Sequence, residues 1–127
     1  MTLSKKISFT NFEVGFHDLG FYEILINDKE EFSVSDLQKL VKAQEELGSK
    51  KLPVLAICSE HANTNSDLLK TISKNSNNPY SIADAFVITS MAQKILANFY
   101  IKIFIPERPT KFFNNKEEAI TWLSKFL

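Results

Sequence analysis

An α/β layered fold is expected from the hydrophobic patterning: an N-terminal β-hairpin, then βα units that build a mainly parallel central sheet flanked by helices. Three observations carry this. The runs LPVLAIC (52–58) and ADAFVIT (83–89) are almost wholly apolar, as strands are when helices cover a sheet on both faces. Phe12, Val14 and Phe16 alternate with polar or small residues, and FYEILIN follows across Gly20, which reads as a hairpin. Between these runs lie segments with apolar residues at helical spacing, preceded by capping residues.

Taken in order, the hairpin turns at Asp18-Leu19-Gly20, where Gly20 supplies the turn conformation. In SVSDLQKLVKAQEELGSKK, Ser35 and Gln38 have the spacing of a capping box, Leu37, Leu40, Val41, Gln44 and Leu47 trace one face, and Gly48 ends the helix. Ser66 to Lys74 carries Leu68, Leu69 and Ile72 at helical spacing, and NSNNPYS is a polar loop. Ser90 caps a third helix reaching to about Phe104, and TKFF (110–113) is a last short strand. Asn114 with Glu117 signals a final helix with Ala119, Ile120, Leu123, Phe126 and Leu127 on one side. The resulting order, β-β-α-β-α-β-α-β-α, places helices on a mainly parallel sheet. No repeat or linker divides the chain, so one domain over residues 1–127 is expected.

Composition narrows the function. Lys+Arg and Asp+Glu each total 15, so no net field draws the chain to nucleic acid. The lone cysteine, Cys58, leaves no internal disulfide, and MTLSKKISF lacks the apolar core of a signal peptide, so a cytoplasmic protein is expected. The apolar stretch from Ile95 to Ile105 is broken by Asn98 and Lys102 and is shorter than the roughly 20 residues of a membrane span. His17 and His61 have no partners at zinc-ligand spacing, and Gly15, Gly20 and Gly48 are too dispersed for a phosphate loop. No metal or cofactor is expected.

In open α/β sheets, ligands favour the crevice beyond the carboxyl ends of parallel strands, where Cys58, Ser59, Glu60, His61, Thr89 and Ser90 fall. Cys58 and His61 invite a nucleophile-and-base reading. Against it, no orienting third group or Gly-rich oxyanion turn accompanies them, and a cysteine ending an apolar strand is usually a buried small hydrophobe. No catalytic residue is expected.

The hairpin followed by EEFSVSDLQKLV, KLPVLAIC, ADAFVITSMAQKILANFYIKIF and PTKFFNNKEEAITWL resembles the SpoIIAA-like group of small bacterial proteins. These are relatives of the anti-sigma-factor-antagonist (STAS) domain, and their fold is also likened to the CRAL-TRIO lipid-binding domain. The resemblance spans nearly the whole chain. Its most specific part is Pro109 to Phe112 with Glu117 to Leu123. It implies a non-enzymatic regulatory or protein-interaction module. In the antagonists a phosphorylated serine follows a central strand in an Asp-Ser-Ser-Gly-type loop. The matching loop here, CSEHANTNSDLL, offers Ser66 and Thr64, but Asn65 replaces the Asp and the Gly is absent. Ser66 or Asn65 also suits a plain helix cap.

The third helix is apolar on two sides. Met91, Ala92, Ile95, Leu96, Phe99 and Ile103 are expected to face the sheet, leaving Ala97, Tyr100, Ile101 and Phe104 as a second row. That row suits burial under the C-terminal helix, self-association as a homodimer or docking of a protein partner, or contact with a small apolar, lipid-like ligand. Arg108 and Lys111 read as residues of a solvated loop.

Overall fold

A computed structural model describes residues 5–127. Six strands form one sheet in the order β1-β2-β3-β4-β5-β6: β1 Ile7–Ser8, β2 Phe12–Phe16, β3 Tyr22–Ile26, β4 Leu52–Cys58, β5 Ser81–Val87 and β6 Thr110–Phe113. The first three pair antiparallel, and β3 through β6 are parallel. The two apolar runs are thus adjacent, central and parallel, with Val54 opposite Asp84. The hairpin register sets Phe16 opposite Tyr22, and Gly20 takes φ 99, which a side chain would strain. The two-residue β1 at the sheet edge has no hydrophobic pattern that announces it.

Four helices complete the layers: α1 Val34–Glu46, α2 Ser66–Ile72, α3 Met91–Phe99 and α4 Lys116–Leu123. Helices α1 and α2 pack on one face, over Phe12, Val14, Tyr22, Ile24, Val54 and Ala56. Helix α4 covers the other, with Ala119 and Leu123 against Leu55, Ala83 and Ala85. This two-sided burial is the physical reason that β4 and β5 lack polar alternation.

The caps differ from expectation by one or two positions. Ser33 with Asp36, rather than Ser35 with Gln38, forms the capping box of α1, and Asp36 also accepts a hydrogen bond from Asn11 at 2.9 Å. Asn115, with Glu118 as the residue it caps, replaces Asn114 with Glu117 at α4. Asn65 caps α2 by accepting from the Leu68 N–H at 2.8 Å.

Helix α3 does not end at Phe99. It continues as a π-helical turn over Tyr100–Phe104 and stops at Ile105, whose N–H donates to the Tyr100 carbonyl at 3.2 Å. Ile105 sits at φ 49, a left-handed conformation that a β-branched residue adopts at a cost of about 1–2 kcal/mol. The side chain is 67% exposed and little packing offsets that cost. Ile105→Gly is therefore expected to raise stability by about 1 kcal/mol in denaturant melts, and a loss of stability would show that the side chain packs in solution.

Candidate functional site

The helical layer does not close fully on the sheet. A cavity of about 120 Å³ lies between the sheet and α1, α2 and α3, walled by Ile24, Val54, Phe86, Leu68, Ile72 and Leu96 among others. Its wall is mainly apolar; Asn63 and Thr64 are its more accessible polar members, and Gln44, Asn78, Asp84, Gln93 and Tyr100 are buried. Gln44 comes from α1, Asn78 from the loop before β5, Asp84 from β5 and Tyr100 from the π turn.

These polar groups divide into two kinds. Asp84 is satisfied: Arg108 donates to its Oδ2 from Nε at 2.8 Å and approaches from Nη2 at 2.7 Å, and Ser81 hydrogen bonds to its Oδ1. Arg108 also donates to the Ile72 carbonyl at 2.8 Å and to Asn75 Oδ1 at 3.2 Å. The second kind is orphaned. Among the described residues, both Gln44 amide atoms and Asn78 Oδ1 are buried without a hydrogen-bonding partner, and the Tyr100 hydroxyl, though beside the Arg108 guanidinium, has no hydrogen bond of good geometry. Burial drives the Tyr100 pKa well above the ordinary phenol value, and its hydroxyl remains a neutral donor and acceptor.

The third helix turns a different face inward from the one expected. Ala97 and Tyr100, expected on a second row away from the sheet, are buried and line the cavity beside the sheet and not under the C-terminal helix, whereas Phe104 is half-buried and Ile101 exposed. Conversely Met91, Ile95, Phe99 and Ile103, anticipated on the sheet side, face outward. The physical reason is Gln93. Its Oε1 accepts from the N–H groups of Thr89 at 3.0 Å and Ser90 at 3.2 Å, while its Nε2 donates to the carbonyls of Ser59 at 2.7 Å and Ala62 at 3.0 Å. A fully bonded glutamine can be buried at no polar cost, and it pulls the row 93, 96, 97, 100 and 104 inward.

The loop at the carboxyl ends of the strands is occupied by these ties. Ser59, Thr89 and Ser90 are gathered around Gln93, and Ser90 accepts from the Gln93 N–H at 3.1 Å to complete a capping box. Glu60 and His61 are exposed, as is Ser66 at the start of α2. The Thr64 hydroxyl donates to the Phe32 carbonyl at 2.6 Å, joining this loop to the start of α1. Of the expected loop residues only Cys58 and Thr64 reach the cavity wall.

Cys58 is half-buried as a residue, but its thiol lies against the apolar cavity wall, and desolvation there pushes it up to about 12. Labelling by a thiol reagent near neutral pH is accordingly expected to be much slower in the native protein than in the unfolded chain. The folded pKa lies above that of an unfolded thiol, about 8.5. The stabilising effect of the protonated, buried thiol is therefore complete below about 8.5 and is lost as the pH rises toward about 12. Fast native labelling would contradict this.

Arg108 also differs from expectation. It is 6% exposed and ion-paired, and is no solvated loop residue, whereas Lys111 is exposed with its Nζ 5.6 Å from the Phe113 ring centre. The sequence signal for the pair is Asp84 itself: an acid inside an apolar strand requires a buried cation. Among the described residues, no helix is long and apolar enough to cross a membrane.

A mixed, mostly parallel six-stranded sheet with this helical arrangement is a SpoIIAA-like α/β fold. The chain is similar to a solved, uncharacterized protein of the DUF3478 family with a SpoIIAA-like fold from Shewanella loihica PV-4, with 15% identity, 97% of each chain covered and a TM-score of 0.56. Residues 21–127 match the family described as Domain of unknown function (DUF7793), and the chain belongs to that family. No curated protein matches it.

Proposed function

We propose that the protein is a non-enzymatic module that binds a small, largely apolar molecule between its sheet and the α3 layer, as a carrier or sensor. The observation that carries this reading is the apolar cavity of about 120 Å³ with orphaned polar groups in its wall, since interiors normally pack without such voids. The raised Cys58 thiol, with His61 exposed to solvent, supports a non-catalytic role. Native mass spectrometry of the protein purified from its own source tests the reading. A retained small molecule is expected, and a bare polypeptide that also fails to take up added hydrophobic compounds would reject it.

A second reading, docking of a protein partner or self-association, has its own support on the outer face of the same helix. Met91, Ile95 and Ile103 are 72%, 63% and 60% exposed, and Phe99 and Ile105 join them. Such a contiguous apolar patch is a usual mark of an interaction site. Changing Ile95 and Ile103 together to Lys is expected to alter stability by no more than about 1 kcal/mol, because both side chains already lie in solvent. Sedimentation of wild type and variant then reports association. A wild type that stays monomeric, or a variant that unfolds, would remove the self-association reading.

A further inference from the structure

We infer that the cavity selects a neutral, single-ring molecule carrying a carboxamide-like edge, a hydrogen-bond donor beside an acceptor, with Gln44 as the group that recognises it. The inference rests on the cavity being a binding site and adds the chemistry of its occupant.

Size comes first. A cavity of about 120 Å³ is comparable to the engineered apolar cavity of about 150 Å³ that accommodates benzene, which is the scale of a single ring. Charge comes next. Among the described residues, Asp84 is the one charged side chain in the wall, and Arg108 already neutralises it at 2.7–2.8 Å. An ionised ligand would meet no free counter-charge there, and burying it would carry the full desolvation cost. Hydrogen bonding then defines the edge. Gln44 is 0% exposed, and among the described residues its Oε1 has no donor and its Nε2 no acceptor. An amide offers those two functions side by side and complements both with one planar group. Asn78 Oδ1 adds an unmet acceptor, and the neutral Tyr100 hydroxyl, beside Arg108, is a further polar group in the wall. Each orphan is costly in the unliganded protein, so a complementary guest recovers what the protein alone leaves unmade.

Three probes of one ring size separate these elements: toluene, benzamide and benzoate, titrated by NMR into wild type and Gln44→Leu. Wild type is expected to bind benzamide at least about tenfold more tightly than benzoate, and Gln44→Leu to weaken benzamide about tenfold while toluene binds at least as tightly as before. Tyr100→Phe, which removes only the hydroxyl, gives a second test of the polar edge should Gln44→Leu not fold, with weaker benzamide binding expected again. If toluene binds but benzamide is indifferent to both substitutions, the amide inference fails while the cavity remains a binding site. Tighter binding of benzoate overturns the inference through its charge argument. If none of the three binds, the inference and the cavity reading beneath it both fail.

Discussion

Arg108→Ala is expected to destabilise the protein by about 3–5 kcal/mol, because it breaks a buried ion pair. Arg108 leads into β6, yet its side chain is 3% exposed and reaches across the sheet edge to Asp84, itself 2% exposed. Truncation strands a buried carboxylate and also deprives the Ile72 carbonyl and Asn75 of their donor. Much of the loss comes from the charge left behind. Replacing both partners, Asp84→Ala with Arg108→Met, should therefore recover a substantial part of it, as a double-mutant cycle in denaturant would report. A single mutant within about 1 kcal/mol of wild type would show that water reaches Asp84 and that the pair is not sealed.

The second large effect has the opposite sign. Gln44→Leu raises stability by about 1–3 kcal/mol, because it replaces an amide with two unmet buried polar atoms by an apolar side chain of similar size. Proteins commonly retain such costs where function requires the polar group, so the gain should accompany the loss of amide recognition. Thermal melts of the unliganded protein measure it. A destabilised variant would mean that the Gln44 amide finds partners in solution, and the argument from its orphaned atoms would fall.

Much of the fold is legible in the chain because it depends on one-dimensional pattern. The runs at 52–58 and 83–89 announce buried parallel strands, and Phe12, Val14 and Phe16 announce a half-covered hairpin. Caps are less legible. Ser33 and Ser35, or Asn114 and Asn115, offer the same chemistry one or two residues apart, and packing of the helix face decides between them. The third helix misled for a related reason. Its outward row is more apolar than its inward row, and Gln93 looks like a solvent residue until four backbone groups from two loops are seen to satisfy it. The site is the least legible part. Gln44 stands visibly on the core face of α1, but nothing local says that its amide lacks a partner, and its cavity companions arrive from a loop, a strand and a π turn.

Methyl-resolved NMR with toluene as the probe tests most directly whether the space under α3 is a binding site. Saturable shifts are expected at the wall, at Ile24, Val54, Leu68, Ile72 and Leu96, with Ile95 and Ile103 on the outer face of the same helix unaffected. Shifts confined to Ile95 and Ile103, or no saturable shift at the wall, would contradict the account and leave the outer apolar face as the remaining site.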